Sequence, residues 1–340
     1  MQINKEELLK ALVIVKPGLA NKEIIEQATS FAFIENRIVT YNDEISISHP
    51  ITGLSLTGAV KADEFYNLLG KIKADVVDIE VAESEIILKV AKAKAGLTLH
   101  HEILLPLDNI DKQTEWRPLC ESFVSDLDFA MQSCGNDMSK AMLTCVHIRK
   151  DGILESSDGY RISRIKSAPI KIKSNILLRS KSASIVISIK PTHINLTNGW
   201  VHFKNTQDTI LSCRIDTDTF VTLDSHLQVE GTEIKLPQSL HEILDCASIF
   251  SKRDHIYDES VVVIIENRKM KVKGQSDSGW YEEEANIRYD GPAITFSITP
   301  GFLKNITNKT QSCVLNDQKI KFIGENWEYL AMLKARAKQA

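Results

Sequence analysis

The sequence predicts an α+β protein built from three similar modules, with antiparallel sheets outside and helices packed on their inner face. Three observations predict this fold class. Most of the chain reads as short strands, only six windows have the helical period, and those windows recur at regular spacing.

The strands are short runs rich in β-branched and aromatic residues, bounded by turn signals. They include Phe31–Phe33, Ile45–Ser48, Ile86–Val90, Leu97–Leu99, Ile194–Leu196, Ile210–Arg214, Val261–Ile265, Met270–Val272, Ala293–Ser297 and Ile320–Ile323. Asp151-Gly152 and Asn198-Gly199 are dipeptides typical of hairpin turns. Because strands greatly outnumber helices, the sheets must supply most of the core.

The helical windows follow a repeat of about 115 residues. In chain order they are Glu6–Val15, Ala62–Ile72, Asp126–Ser133, Ser180–Ile187, Gln238–Phe250 and Pro300–Ile306. The first, third and fifth windows are separated by one repeat each, and the others fall midway between them. One helix per half-repeat can cover only one face of a sheet, so we expect helices on a single side.

Composition excludes several classes of protein. The chain has 340 residues, 43% of them hydrophobic, so it can bury sizeable cores and is not of a disordered type. Its longest apolar runs fall far short of the ~18–20 residues that span a bilayer. The start, MQINKEELLK, contains acids and does not read as a signal peptide. The six cysteines lie far apart without a CxxC pair, which indicates thiols in a reducing cytoplasm.

The charge composition is compatible with a local surface that binds nucleic acid. The formal net charge of −4 excludes a globally basic coat but not a basic face. Cations lie in or beside the helical windows, and we take as candidate DNA contacts Lys5, Lys10, Lys71, Arg179, Lys181 and Lys304. Two interpretations stay open: ordinary solvated helix faces, or one shared surface that follows a phosphate backbone without reading bases.

A family resemblance enters at Glu155–Ile165, ESSDGYRISRI, after an expected strand at Leu143–Ile148. This segment resembles the Thr-Asp-Gly-His-Arg-Leu segment of the bacterial sliding clamp, the beta subunit of DNA polymerase III. Further segments resemble the same family in order along the chain: Glu6–Gly18, Val39–Ile47, Leu105–Trp116, Cys213–Phe220, Ile287–Ile306 and Glu328–Leu333. Each motif alone is weak, and their collinearity makes the resemblance specific.

The resemblance implies a DNA clamp fold of three domains, which would span residues 1–118, 119–232 and 233–340. It also implies a head-to-tail homodimer that closes into a ring around double-stranded DNA. Such a protein has no catalytic residues, cofactor or metal. It tethers a DNA polymerase and is opened by a clamp loader, both of which bind through a short hydrophobic peptide. The chain is short for a cellular clamp, which favours a phage or prophage version.

The family's partner-peptide pocket can be carried over residue by residue. Its matching positions are Leu143, Ser157, Gly159, Tyr160, Arg161, Ile162, Thr299, Phe302, Leu330 and Met332. The resemblance implies an apolar groove, with Arg161 and the backbone near Gly159 as polar anchors. The sequence departs from the family at Tyr160, at Val221 and after Met332, where Leu333, Lys334 and six further residues follow. These departures suggest a groove adapted to different partners. Without the resemblance, 157–162 reads as a plain turn.

The family's other contacts also have matching positions. For the ring interface they are Ile249 and Phe250, facing Ile110 of the partner, although an amphipathic helix end gives the same pattern. For DNA, two loop contacts map onto Lys22 and Lys140, which are otherwise ordinary solvated side chains.

Other groups of residues give little evidence of a metal site or a catalytic site. His100-His101-Glu102 suggests a metal, but neighbours in a strand point to opposite faces and no third ligand is placed. No phosphate-binding, zinc-protease or nucleophile-elbow motif occurs. The alternative function is a β-rich enzyme or carbohydrate-binding protein with a cleft between repeats. A milder one is a clamp relative that serves recombination or repair.

Overall fold

The computed structural model describes residues 1–110 and 115–334. The chain folds into two compact units. The first contains Met1–Ser125 and Ile170–Thr217, and the second contains Asp126–Pro169 and the described residues from Asp218 onward.

The elements up to residue 131 are β1 (Gln2–Asn4), α1 (Lys5–Val15), β2 (Ser30–Ile34), β3 (Arg37–Tyr41), β4 (Ile45–Pro50), β5 (Gly58–Lys61), α2 (Ala62–Lys71), β6 (Val76–Val81), β7 (Glu85–Val90), β8 (Ala93–Thr98), β9 (Arg117–Pro118) and α3 (Phe123–Met131). Those from 145 to 227 are β10 (Cys145–Ile148), β11 (Ile153–Ser157), β12 (Arg161–Lys166), β13 (Ile176–Arg179), α4 (Ser180–Ile189), β14 (His193–Leu196), β15 (Trp200–Lys204), β16 (Ile210–Arg214) and α5 (Asp224–Leu227). The last are β17 (Thr232–Lys235), α6 (Leu240–Ile249), β18 (Val261–Glu266), β19 (Lys269–Ser276), β20 (Gly279–Asn286), β21 (Ile294–Ile298), α7 (Pro300–Thr307), β22 (Ser312–Leu315), β23 (Lys319–Ile323) and β24 (Trp327–Met332).

The first unit contains two sheets. One has the strand order β5-β2-β3-β4-β16-β15-β14-β9, and the other has the order β1-β6-β7-β8. Helix α1 begins where Asn4 accepts a hydrogen bond from the backbone N–H of Glu7, a cap that satisfies a free helix donor. Its apolar side packs on β3 and β4, and the Thr40 hydroxyl donates to the Val15 carbonyl at 2.6 Å. The helix is thereby fixed to the sheet both by apolar burial and by a buried hydrogen bond.

The second unit repeats this construction. One sheet includes the order β10-β11-β12-β24-β23-β22-β17, and the other has the order β20-β19-β18-β21. Helix α6 packs against α7 and β19. Gly274 of β19 permits that approach, because a Cβ there would collide with the Ala247 carbonyl of α6.

Both units join two antiparallel meanders into one sheet. In the first unit β4 pairs with β16, with Ile47 opposite Leu211. In the second β12 pairs with β24, with Ile162 opposite Leu330. The same strand pattern in both units favours a repeated architecture, and the three domain boundaries stay a prediction.

The six helical windows correspond to α1, α2, α3, α4, α6 and α7, whereas α5 was not expected. The strand expected over Leu143–Ile148 is wrong at its start. Residues Met138–Thr144 form a 3₁₀ segment and the strand begins at Cys145. Asp137 caps this segment by accepting from the Ser139 N–H at 2.9 Å, and the Thr144 hydroxyl donates to the Ala141 carbonyl at 2.7 Å. These side-chain bonds support a tight turn where apolar alternation alone indicated a strand.

Candidate functional site

A groove of about 280 Å³ lies on the second unit. Its lining residues are Leu143, Ser157, Gly159, Tyr160, Arg161, Ile162, Val221, Leu223, His226, Lys319, Leu330 and Met332. Eight of the ten residues expected from the resemblance are among them. The structure therefore brings most of the candidate set together, although whether a peptide binds there stays a prediction.

The pairing of β12 with β24 creates the floor of the groove. Ile162 lies opposite Leu330 in this ladder, and the Met332 N–H donates to the Tyr160 carbonyl at 2.7 Å. Since side chains alternate across a strand, Ile162 and Leu330 point to the same face, where both are buried. Two strands far apart in sequence thus form one apolar surface.

The turn before β12 is built by Asp158 and Gly159. Gly159 has φ +90°, a conformation that favours glycine. One Asp158 carboxylate oxygen accepts from the backbone N–H groups of Tyr160 and Arg161, both at 2.9 Å. The turn is therefore held by its own side chain, and it presents Tyr160 at the rim with half of its surface exposed.

Arg161 is engaged inside the protein. Its Nε donates to the other Asp158 oxygen at 2.9 Å, and its guanidinium lies 4.8 Å from the centre of the Phe302 ring. Burial disfavours the charged guanidinium, but Tyr329 and Asp158 outweigh that effect and raise the pKa of Arg161 above its ordinary value. Arg161 stays charged and fixes the turn, so it is a less available anchor for a partner than the sequence indicated.

Thr299 and Phe302 do not line the groove cavity. Thr299 is buried at the start of α7, where its hydroxyl donates to the Glu259 carbonyl at 3.2 Å. Phe302 is also buried and meets Tyr257 edge-on at 6.4 Å, while Tyr257 stacks on Tyr160 at 4.6 Å. These residues support the groove rim from behind.

Sequence reasoning associated Val221 with the groove but missed the rest of one wall. It comes from the segment 220–229, where Leu223 and Leu227 join Ile162 and Leu330 in a buried apolar cluster. The spacing of Leu223 and Leu227, four residues apart beside Phe220, was the available signal for a short helix with an apolar side.

A charged network ties this wall to the sheet. Arg164 of β12 contacts Glu155 at 2.6 Å and Asp224 of α5 at 2.7 Å. The nearly buried Glu155 also faces His147 at 3.0 Å, and the His147 ring lies 4.9 Å from that of Phe220. Because Asp224 lies next to Leu223, the network positions the wall against the floor.

The candidate ring-interface residues lie in different environments. Ile249, at the end of α6, is 64% exposed, and Phe250 is half-buried beside Gly279. In the first unit, Ile110 packs against a buried cluster that includes Tyr41 and Trp200. Ile249 is thus available to a partner, whereas part of the surface of Ile110 is already buried within its own unit.

The candidate DNA contacts divide into two groups. Four already have partners: Lys5 donates to the Ile72 carbonyl at 2.8 Å, Lys10 pairs with Glu6 at 2.8 Å, Arg179 pairs with Glu44 at 2.6 Å, and Lys304 pairs with Asp245. The others are exposed: Lys22, Lys71, Lys140 and Lys181. The second group is the more available for phosphate contacts.

Within residues 1–110 and 115–334, no group of three or more His, Cys, Asp or Glu side chains is arranged to hold a metal ion. His101 instead makes a 2.8 Å hydrogen bond with the Glu83 carbonyl. No helix in the described part of the chain combines the length and apolar character needed to cross a membrane.

Comparisons with known proteins give the class of fold. No protein-family model and no curated protein matches the chain. Solved structures match over nearly its whole length, among them the DNA polymerase beta subunit of Streptococcus pyogenes, at 18% identity and TM-score 0.81, with 98% of this chain and 99% of that one covered. The sliding clamps of Bacillus subtilis and Pseudomonas aeruginosa match at 15% identity and TM-score 0.80, covering 99% of both chains and 98% and 99%, respectively.

The chain therefore has the sliding-clamp fold. More particularly, its fold is that of the bacterial DNA polymerase III beta subunits. The predicted fold class, α+β with antiparallel sheets, is confirmed, as is the resemblance on which it rested. The phage or prophage origin stays a prediction.

Proposed function

We propose that this chain is a DNA sliding clamp, a processivity factor that encircles duplex DNA and tethers a DNA polymerase and other DNA-processing proteins. The observation that carries the proposal is the match of 98–99% of the chain to several solved sliding clamps. The groove adds support, because eight of its lining residues are ones that the family motif assigned to a partner pocket. The proposed role is cytoplasmic, needs no cofactor and includes no catalysis.

The proposed ring is a head-to-tail homodimer, which two free sheet edges support. Strand β8 ends one sheet of the first unit and carries Lys94, and β20 ends one sheet of the second unit and carries Glu282, Glu283 and Glu284. Exposed edge strands invite pairing with another chain. On β20, Glu282 and Glu284 are already paired with Lys271 of β19, so the support comes from the strand edges and not from their charges. Trp280 follows Gly279 at the start of β20 and is 64% exposed. Gly279 borders Phe250, so this exposed tryptophan lies next in sequence to a neighbour of a proposed interface residue.

Topology provides the test of the proposed function. The protein is incubated with nicked circular DNA at concentrations that let rings open and close, and bound complexes are isolated by gel filtration. We expect retention on circles and rapid loss after a restriction enzyme linearises them, because a closed ring can leave only over an end. Equal retention on circular and linear DNA contradicts the proposal and favours an ordinary DNA-binding protein.

Ring closure can be tested separately by the double variant Ile249→Asp, Phe250→Asp. We expect folded monomers that are not retained on circular DNA, because two charges would be buried in an apolar interface. Light scattering measures the mass and circular dichroism checks the fold. Ile24→Asp, at a 90% exposed isoleucine of the first unit, is the matched control and should stay dimeric. A dimer from the double variant contradicts the assigned interface.

A further inference from the structure

A second recess, of about 430 Å³, lies on the second unit and shares no lining residue with the groove. It is built on strands β17, β22 and β23, at the end of their sheet where β17 forms the edge. Val314 of β22 lies opposite Glu233 of β17 and also opposite Lys321 of β23. Ile323 comes two residues after Lys321, so all four side chains border the recess from the same face of the sheet.

The floor of this recess is apolar and incompletely covered. Ile323 is 52% exposed although it belongs to a strand, and Val314 is half-buried. A single exposed isoleucine is ordinary on a protein surface, but this one borders a cavity together with a second β-branched side chain. An apolar side chain of a partner would therefore be removed from water at this place, which is favourable.

The loop between β20 and β21 borders the recess without filling it. Its Arg288 is one of the lining residues. Tyr289 turns back onto its own loop, where its hydroxyl donates to the Pro292 carbonyl at 3.1 Å. Asp290 is paired with Arg268. The loop therefore supplies a cation to the recess, while its aromatic ring and its carboxylate are engaged elsewhere.

Two cations border the recess without an ionic partner. Lys235 and Arg288 are exposed, and within residues 1–110 and 115–334 neither has a carboxylate at ion-pair distance. Lys321 is already paired with Glu328 at 2.6 Å. Glu233 is the one acid of the lining, and it lies in the ladder row of Lys321 rather than in that of Lys235. The unpaired cations of the lining therefore outnumber its acid.

We propose that this recess is a second docking site, for a partner protein that presents an apolar side chain flanked by acidic side chains. The site goes beyond the proposed tethering function and does not involve the groove. The floor of Val314 and Ile323 takes the apolar side chain, and Lys235 and Arg288 take the carboxylates. A nucleic acid fits less well, because its phosphate backbone offers the floor no apolar group and is repelled by Glu233.

The test follows the methyl resonance of Ile323 in the full-length protein, isotope-labelled at the isoleucine methyl groups. The variant Ile323→Val assigns that resonance. The probe is the peptide Gly-Glu-Ser-Ile-Ser-Glu-Gly, whose acids and isoleucine lie on one side when it is extended. It is compared with a peptide in which Gln replaces both acids and with one in which Ala replaces Ile.

We expect all binding to shift the Ile323 resonance, because the ligand covers that methyl group. The acidic peptide should bind about 5-fold more tightly than the Gln peptide, as two partly exposed ion pairs allow. The difference should shrink in 0.5 M salt. The Ala peptide should bind more weakly than the Ile peptide, because it buries less apolar surface.

A double variant assigns the preference to its residues. Lys235→Gln with Arg288→Gln should bring the acidic peptide down to the affinity of the Gln peptide and leave the latter unchanged. Lys173→Gln with Lys252→Gln removes the same charge at two exposed lysines outside the lining. This control should behave as the parent protein. Thermal melts check that each variant is folded.

Several results overturn the inference. An Ile323 resonance that no peptide shifts removes the docking site, and equal binding of the acidic and Gln peptides removes its charge preference. An unchanged preference in the folded double variant removes the two assigned cations. A resonance that shifts on dilution without peptide assigns the recess to a second copy of the chain, and one that shifts only with a short DNA duplex assigns it to nucleic acid. The DNA-topology experiment does not depend on any of these outcomes.

Discussion

At the scale of single residues, the chain uses charge mainly to hold its own loops. Asp158 shows this most clearly, because one carboxylate caps two backbone N–H groups and pairs with Arg161. The family resemblance implied that Arg161 is a polar anchor for a partner. In the structure the guanidinium is bound to Asp158 of the turn. Lys319, whose ammonium donates to the His226 backbone carbonyl, is a basic side chain of the groove lining that has no carboxylate partner among the described residues.

His49 gives a prediction for pH at this scale. It is half-buried in β4, where Nδ1 lies 2.8 Å from the Thr209 hydroxyl oxygen. Burial lowers the pKa of His49, and the charge of Arg37 lowers it further. The unfolded chain therefore binds the proton more readily than the folded one. The contribution of His49 to the free energy of unfolding is therefore fully present above the unfolded pKa of about 6.5, and it is lost as the pH falls below that value.

The measurement is urea unfolding between pH 5 and 7. We expect the free energy of unfolding to fall toward pH 5 in the parent protein, and His49→Gln to remove part of that fall. His255→Gln, at an exposed histidine, serves as the control and should leave the slope unchanged. A parent slope identical to that of His49→Gln would show that this histidine is not the group responsible.

At the scale of elements, the groove depends on a helix of only four residues. Helix α5 carries Leu227 into the apolar cluster and is tied to β12 by the pair Arg164–Asp224. So short a helix is not stable on its own, and its position comes from packing and from this pair.

Asp224→Asn tests that dependence. Asp224 is 64% exposed as a side chain, so the change removes the ion pair without burying an unpaired group. We expect the free energy of unfolding to change by less than about 1 kcal/mol, while peptide affinity falls about 3-fold because the wall loosens. Fluorescence anisotropy with a labelled short hydrophobic peptide measures the affinity. Asp254→Asn, at an exposed aspartate, is the control. Undiminished affinity in the Asp224 variant would mean that apolar packing alone positions α5.

At the scale of the whole molecule, the helices are not strongly basic. The six helices of eight or more residues carry five lysines against eight acidic residues. Two of those lysines, Lys10 and Lys304, are paired with acids on helices. A ring that is held on DNA by topology does not need strong phosphate contacts, and such contacts would slow sliding.

We therefore predict that the affinity for DNA depends only weakly on salt concentration. For equilibrium binding to short linear duplexes between 50 and 200 mM salt, we expect log K against log salt to have a slope of about −2, equivalent to roughly two phosphate contacts. The double variant Lys71→Gln, Lys181→Gln should bring this slope closer to zero, and the control variant Lys252→Gln should leave it unchanged. A slope steeper than about −5 would show an extensive phosphate-binding surface and contradict this view.

Much of this protein is determined by local sequence. The six helices follow from the spacing of apolar residues, and the Asp158-Gly159 turn follows from residues that supply their own cap and a positive φ. Eight of the residues that the family resemblance assigned to a partner pocket line one cavity, and their role stays a prediction. The helices and the turn depend on neighbours within a few positions, which the chain specifies directly.

Tertiary structure alone decided which distant segments meet. The pairing of Ile162 with Leu330 brings β12 to β24, and only that pairing makes a groove floor. The same assembly sets Lys319 beside His226 and buries Phe302 behind the rim. Contacts between remote segments depend on packing and on ion pairs such as Arg164–Asp224, and no periodicity in the sequence records these.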